Sequence, residues 1–183
     1  MFKAVFLDRD GTVSEEIGYM YHAGLYQPFP WTAPAIRKIN ESGMKAVLIT
    51  NQSGIGRGYF NESTVDAVHT ILKAELTRHN ASLDAIYICP HHPDAGCDCR
   101  KPNPGMPLRA EKDMQIDLGR SYVIGDKYVD IETAHRVGAT GILVLTGYGR
   151  EERERHKANP QQPHFVVENL MDAIDGILSG AFG

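Results

Sequence analysis

The stretch that decides the fold is Ala4-Val5-Phe6-Leu7-Asp8-Arg9-Asp10-Gly11-Thr12. Its apolar run predicts a buried strand, which is followed by two aspartates one residue apart and then by a glycine. Because residues i and i+2 of an extended chain point to the same side, Asp8 and Asp10 lean the same way. Such a pair can bind a divalent cation and offer one carboxylate oxygen as a nucleophile. The alternative interpretation is an aspartate-rich surface turn.

The composition, with 42% hydrophobic and 23% charged residues, is that of a globular protein. The length predicts a single domain over residues 1–183. The net charge of −4 and the pI near 6.0 argue against nucleic acid as a partner. No apolar run approaches the roughly 20 residues that cross a bilayer, and early charges argue against a signal peptide. We therefore expect a cytoplasmic protein without a membrane partner.

Short apolar runs alternate with helical patterns along the chain. Strands are expected at residues 4–7, 45–50, 85–88, 122–124, 142–145 and 164–167. Helices are expected after Thr32 as a cap, after Asn61, at 106–116, at 130–137, within 150–162 and after Asn169. This alternation predicts an α/β fold with a Rossmann-like doubly wound parallel sheet.

Polar side chains follow four of the predicted strands. Asp8 and Asp10 follow the first, Thr50 ends the second, Lys101 lies beyond the third, and Asp126 follows the fourth. Ligands of such sheets bind at the carboxyl ends of the strands, near the point where the strand order reverses. We therefore expect one site to contain a carboxylate pair, a hydroxyl, an ammonium and a further carboxylate.

All the cysteines lie within eleven residues, on a loop rich in proline and glycine that also carries two histidines: Cys89, His91, His92, Cys97 and Cys99. An odd number of cysteines beside histidines is a poor disulfide framework and is typical of a metal site. The C-x-H and C-x-C pairs supply the four ligands of a closed, structural Zn²⁺ site, which fixes the loop before Lys101. The alternative is a flexible loop with free thiols.

These motifs together resemble the haloacid dehalogenase (HAD) superfamily, whose usual chemistry is phosphoryl transfer through an aspartyl-phosphate. Its four motifs correspond to residues 8–12, Thr50, Lys101 and residues 125–130. The resemblance implies that Asp8 is the nucleophile and that Asp10 acts first as an acid and then as a base. It also implies that Thr50 and Lys101 hold the phosphoryl oxygens.

The same resemblance implies a catalytic Mg²⁺ held by Asp8, Asp126 and the main-chain carbonyl of Asp10. Asp130 is expected beside this site, where it orients Lys101 or a metal-bound water, or else it only caps its helix. Lys127 is either another residue around the metal or a solvated lysine.

Within the superfamily, the chain resembles the D-glycero-D-manno-heptose 1,7-bisphosphate phosphatases, which have no cap domain and carry a zinc loop of the form C-x-H…C-x-C-R-K-P. Residues 51–60 match their N-Q-S-G-I-x-R-G-Y-F pattern and residues 101–106 match K-P-x-P-G-M. The resemblance implies zinc ligation by His91 and the three cysteines. It also implies a small phosphorylated sugar as substrate, hydrolysis of its 7-phosphate, and a place in nucleotide-heptose synthesis for lipopolysaccharide or another cell-surface glycan.

Substrate contacts are expected on the loops around the metal. Arginines suit a distal phosphate because they form bidentate contacts, and side-chain amides suit hydroxyls. The expected set is Glu16, Gly18, Tyr19, Asn51, Gln52, Ser53, Arg57 and Arg100.

Two departures from the heptose pattern leave the preference for the sugar and for its anomer open. Only five residues separate His91 from Cys97, which is shorter than in some heptose enzymes and closer to the related histidinol-phosphate phosphatases. Residues 16–22 keep the Gly-Tyr but not the full D-H-G-Y-V-H pattern. A zinc-stabilised binding module is disfavoured because it has no use for a nucleophile, and a DNA-end phosphatase is disfavoured by the acidic balance. A monomer is expected because no cap and no apolar surface helix are evident.

Overall fold

The computed structural model describes residues 1–182, and within them six parallel strands form one sheet. The strands are β1 (Ala4–Leu7), β2 (Lys45–Asn51), β3 (Ala85–Cys89), β4 (Tyr122–Gly125), β5 (Thr140–Val144) and β6 (Phe165–Val167). Their order in space is β3-β2-β1-β4-β5-β6. The predicted doubly wound sheet is therefore confirmed, and its order reverses between β1 and β4, where a crevice forms.

Helices cover both faces of the sheet. They are α1 (Thr32–Glu41), α2 (Ser53–Gly56), α3 (Glu62–Arg78), α4 (Gly105–Met114), α5 (Tyr128–Val137), α6 (Gly149–Arg155) and α7 (Leu170–Leu178). Alternate residues of β1 enter two different cores, as the period of a strand requires. Val5 and Leu7 pack with α1, α3 and α7, whereas Ala4 and Phe6 pack with α4 and α5. Burial on both faces explains why β1 is apolar throughout.

The predicted elements differ from the observed ones mainly at their ends. Thr32 is not the cap of α1 but its first residue, because its hydroxyl donates to the carbonyl of Val13 at 2.6 Å and so joins the helix to the loop after β1. Asn61 caps α3 as predicted and accepts a hydrogen bond from the Thr64 amide at 3.2 Å. The short helix α2 was not among the predicted elements. Among the described residues, no helix has the length and apolarity needed to span a membrane.

His69 lies on the buried face of α3, and its side chain is only 5% exposed. Burial, together with the positive charges of Arg9 and Lys73, lowers the pKa of its imidazole to about 3. The folded protein therefore keeps His69 neutral over a range of pH in which the unfolded chain protonates it.

We expect the free energy of unfolding to fall as the pH is lowered from 6.5 towards 3, because in this window the unfolded chain binds a proton that folded His69 excludes. Between pH 7 and pH 5, the loss from this residue is about 2 kcal/mol. Urea denaturation of the wild type and His69→Gln at both pH values measures it, and the variant is expected to lack this part of the loss. His79→Gln, at the exposed end of α3, is the matched control. An identical pH dependence in the wild type and His69→Gln would contradict the expectation.

Candidate active site

The four motifs meet at the carboxyl ends of the central strands. They enclose a small cavity of about 50 Å³, lined by Asp8, Asp10, Thr50, Asn51, Lys101, Lys127, Val129 and Asp130. A wider cleft of about 570 Å³ shares Asp10, Asn51, Lys101, Lys127 and Val129 with this cavity. The crevice at the reversal of strand order thus contains the predicted catalytic residues, as the topology requires.

Lys101 is buried and donates three hydrogen bonds through its ammonium group. The acceptors are Asp8 Oδ1 at 2.7 Å, Asp130 Oδ1 at 2.6 Å and the carbonyl of Ile49 at 3.0 Å. Burial alone lowers the pKa of Lys101, but the charges of Asp130 and Asp8 outweigh burial and raise this pKa above its ordinary value. The other oxygen of Asp130 accepts from the amide of Lys127 at 3.3 Å. Asp130 therefore both orients Lys101 and closes the first turn of α5.

Asp126 is fully buried, and only one of its two carboxylate oxygens accepts a hydrogen bond from the described residues. Oδ2 accepts from the amide of Tyr148 at 2.8 Å, whereas Oδ1 has no hydrogen-bond partner among residues 1–182. Burial and the negative charge of Asp8 raise the pKa of Asp126 to about 8. Gly11 and Gly147 pack so closely on this carboxylate that a Cβ atom at either position would overlap it.

These observations fit a divalent cation. A buried carboxylate oxygen without a donor needs a positive partner, and Asp8 offers a second oxygen within 4.8 Å of it. Carboxylate oxygens are the ligands that Mg²⁺ prefers. Asp130 lies within the same distance, but both of its oxygens are already bonded to Lys101 and Lys127. Asp8 and Asp126 are therefore the side chains suited to hold the ion.

Asp10 lines the cavity, and its carboxylate accepts hydrogen bonds from Arg9 and Gln52. Arg9 donates to both carboxylate oxygens of Asp10, from Nε at 2.9 Å and from Nη2 at 2.8 Å. Gln52 donates to Asp10 Oδ2 at 3.0 Å and to the hydroxyl of Thr50 at 2.8 Å. Gln52, predicted from sequence as a substrate contact, is thus buried and bonded to two residues of the site.

The cysteine-histidine loop gathers four ligand atoms. Cys89, His91, Cys97 and Cys99 place them within 4.8 Å of one another, and the three thiols are free. Cys97 Sγ lies 3.6 Å from both other sulfurs, and His91 Nδ1 lies 3.2 Å from Cys99 Sγ. A tetrahedron with Zn–S bonds of about 2.3 Å separates its sulfurs by about 3.8 Å, so the cluster has the size of a zinc site. His92 instead accepts from the amide of Asp94 at 3.2 Å.

Most predicted substrate contacts lie around the wider cleft. Its lining includes Glu16, Gly18, Tyr19, Asn51, Ser53, Arg100 and Lys127. Lys127 donates to Glu16 Oε2 at 2.6 Å, which joins the loop after β1 to the loop after β4. Arg57 is exposed at the end of α2 and is not among the lining residues.

Tyr148 belongs to the site but was not predicted from the sequence. Its ring lines the cleft, its amide holds Asp126, and the ammonium of Lys127 lies 4.8 Å from the ring centroid. Its position after β5, at the same edge of the sheet as the other polar residues, is the sequence feature that could have predicted it as a site residue.

Comparison with known proteins agrees with this geometry. Residues 98–173 match the HAD-hydrolase-like family model. The chain is 39% identical to the D-glycero-D-manno-heptose-1,7-bisphosphate 7-phosphatase of Thermosynechococcus vestitus, over 95% of this chain and 94% of that protein. It is also 39% identical to the D-glycero-beta-D-manno-heptose-1,7-bisphosphate 7-phosphatase of Photorhabdus laumondii, over 95% and 96% of the two chains.

A solved structure shares the whole fold. The D,D-heptose 1,7-bisphosphate phosphatase from B. bronchiseptica, complexed with magnesium and phosphate, superposes with a TM-score of 0.91. The two sequences are 32% identical, and the match covers 98% of this chain and 99% of the other.

The ligand geometry predicts about one zinc ion per purified chain, since four donors complete a tetrahedral site. His91→Ala is expected to lose most of this zinc after dialysis against a chelator, because a three-ligand site binds the ion more weakly. Elemental analysis by mass spectrometry gives the metal content. His92→Ala is the matched control and is expected to retain zinc; equal retention by the two variants would contradict the assignment of His91.

Proposed function

The chain belongs to the D-glycero-D-manno-heptose-1,7-bisphosphate 7-phosphatase family of HAD hydrolases, and from this membership we propose that it hydrolyses the 7-phosphate of that sugar. It is a phosphoric monoester hydrolase, and its substrate is a small phosphorylated sugar. The observation that carries the proposal is the buried group formed by Asp8, Lys101 and Asp126, of which Asp8 and Lys101 line the small cavity.

In the first step that we propose, a carboxylate oxygen of Asp8 attacks phosphorus, and the bond between phosphorus and the sugar oxygen breaks. Asp10 transfers its proton to the departing oxygen, so the sugar leaves as an alcohol and Asp8 carries the phosphoryl group. Lys101 fixes the orientation of the nucleophile through its 2.7 Å contact with Asp8 Oδ1. Ordered reactants of this kind need little reorganisation to reach the transition state.

In the second step, water attacks phosphorus and the bond to Asp8 breaks. Asp10 accepts the proton of this water, so phosphate leaves and both aspartates return to their starting states. Thr50 holds a phosphoryl oxygen through its hydroxyl, and the positive charge of Lys101 stabilises the phosphoryl oxygens while negative charge spreads over them. Help from an acid or base is worth about 10²–10⁴ in rate, which makes Asp10 a principal contributor after Asp8.

Two metals with separate tasks belong to this proposal. Asp8, Asp126 and the main-chain carbonyl of Asp10 hold Mg²⁺, which when bound lets two anions approach by neutralising part of their charge. The relative from B. bronchiseptica contains magnesium and phosphate, which supports this assignment. Four ligands from Cys89, His91, Cys97 and Cys99 would leave a bound zinc no open position, so zinc would act structurally and would fix the loop that carries Arg100 and Lys101.

The substrate side of the proposal uses the wider cleft. Arg100 lines it, and one nitrogen of its guanidinium is buried without a partner among the described residues, as a site for a distal phosphate requires. Glu16, Tyr19 and Asn51 lie beside it as candidates for sugar hydroxyls. Arg57 remains a proposed second contact with the phosphate, made when substrate orders its side chain. We also propose that the protein is a monomer and that it serves nucleotide-heptose synthesis for a cell-surface glycan.

Asp8→Asn is expected to lower kcat by at least about 10³-fold, because an amide has no anionic oxygen to attack phosphorus. The substitution keeps the shape of the side chain, so the chain should remain folded by circular dichroism. Phosphate release with Mg²⁺ present is the measurement. Ser179→Ala, at the exposed end of α7, is expected to keep wild-type turnover. Turnover by Asp8→Asn close to that of the wild type would refute the assigned nucleophile.

The substrate itself is tested by comparing kcat/KM for both anomers of D-glycero-D-manno-heptose 1,7-bisphosphate and for histidinol phosphate. We expect one heptose anomer to be preferred by at least about 10²-fold, a difference of about 2.7 kcal/mol in transition-state binding. Histidinol phosphate is the second candidate because the zinc loop is short. A preference for histidinol phosphate would overturn the heptose assignment while leaving the chemistry of Asp8 intact.

A further inference from the structure

Arg9 stands between the two aspartates of the first motif, and nothing in the proposed reaction uses it. Its side chain is only 1% exposed, although it carries a full positive charge. A buried charge is costly unless it is paired and hydrogen-bonded. The partner of Arg9 is Asp10, which receives a bidentate contact from Nε and Nη2 at 2.9 and 2.8 Å.

The hydrogen bonds around Asp10 distinguish its two oxygens. Oδ2 accepts from Arg9 Nη2 and from Gln52 Nε2, whereas Oδ1 accepts from Arg9 Nε. Each carboxylate oxygen offers two lone-pair sites, so Oδ2 is filled and Oδ1 retains one site. Asp10 lines both the small cavity and the wider cleft. Oδ1, which can accept one more hydrogen bond, therefore belongs to a residue that lines the cleft in which we propose that substrate binds.

Among the described residues, the carboxyl group of Asp10 is the acidic group that the guanidinium of Arg9 contacts. Tyr26 and His69 are both buried near Arg9, at 6% and 5% exposure. Burial raises the pKa of Tyr26 far above its ordinary value, and burial together with Arg9 lowers the pKa of His69 to about 3. Both neighbours are therefore neutral at physiological pH and do not compete with Asp10 for the guanidinium.

We propose that Arg9 is a positioning residue, which together with Gln52 fixes the carboxyl group of Asp10 so that Oδ1 is the atom that exchanges a proton with substrate and water. The proposal rests on the proposed function, in which Asp10 is the acid and base. A planar guanidinium holds both oxygens at once, which a lysine ammonium cannot do with the same geometry. A displacement of about 1 Å of a catalytic group can cost about 10² in rate, so this clamp matters to turnover.

The main chain of Arg9 lets the side chain be tested separately from the turn. Its carbonyl accepts from the amides of Val13 at 2.9 Å and Ser14 at 3.0 Å and so closes the turn after β1. These bonds do not involve the guanidinium. Arg9→Lys keeps them, keeps a positive charge beside Asp10, and removes the bidentate contact.

The test is a double-mutant cycle of Arg9→Lys with Asp10→Asn, measured as phosphate release from heptose bisphosphate with Mg²⁺. In the wild-type background, Arg9→Lys is expected to lower kcat by about 10²-fold with little change in KM. In the Asp10→Asn background, the same substitution should change kcat by less than about threefold, because no acid or base remains to be positioned. Arg37→Lys, at an exposed position of α1, is the matched control and should not change kcat in either background.

The outcomes separate this inference from the function on which it rests. Equal losses from Arg9→Lys in both backgrounds would mean a purely structural role, and an unchanged kcat in the single variant would also overturn the proposal. Wild-type turnover by Asp10→Asn would instead refute the assigned acid and base. If Arg9→Lys does not fold, Gln52→Met repeats the cycle; this variant removes the third hydrogen bond to Asp10 together with the bond from Gln52 to the Thr50 hydroxyl, and the Asp10→Asn background separates the two. A smaller loss that disappears in the Asp10→Asn background supports the proposal, and an additive loss contradicts it.

Discussion

The buried ammonium group of Lys101 is the interaction on which the rest of the site depends. It has exchanged water for three protein acceptors, the carboxylates of Asp8 and Asp130 and the carbonyl of Ile49. Removing one partner of a buried pair costs about 3–5 kcal/mol, because the other charge is left without compensation. The ends of β1 and β2, the start of α5 and the cysteine-histidine loop are therefore joined at a single point.

The balance of charge around Lys101 explains why the site suits a second cation. Asp8, Asp126 and Asp130 bring three carboxylates together, and Lys101 bonds two of them. Asp126 is left with one unbonded oxygen within the described residues and a pKa raised to about 8 by burial and by Asp8. Hard oxygen donors at this point and soft sulfur donors on the neighbouring loop select different metals. The two clusters of ligand atoms therefore differ in the class of metal that each suits.

The shape of the cleft is determined by loops that follow different strands. The Glu16–Lys127 ion pair at 2.6 Å ties the loop after β1 to the loop after β4. Tyr19 and Tyr59 pack edge to face, with ring centroids 4.8 Å apart, and so connect the loop after β1 to the turn after α2. Because these contacts join loops that follow different strands, the shape of the cleft depends on several loops at once, whereas the carboxylate cluster lies at the strand ends.

The sequence by itself determined the strands and the order of the motifs, and it predicted the candidate metal ligands, because each of these features follows from a local pattern. The apolar run before Asp8, the Asn61 cap and the C-x-H and C-x-C spacing act over a few residues, where propensity and geometry suffice. Only the tertiary structure decided which side chains meet across the chain. In the tertiary structure, Gln52 donates to Asp10, the amide of Tyr148 donates to Asp126, and Arg9 is buried. These contacts depend on how distant loops pack at the edge of the sheet, and no local periodicity predicts them.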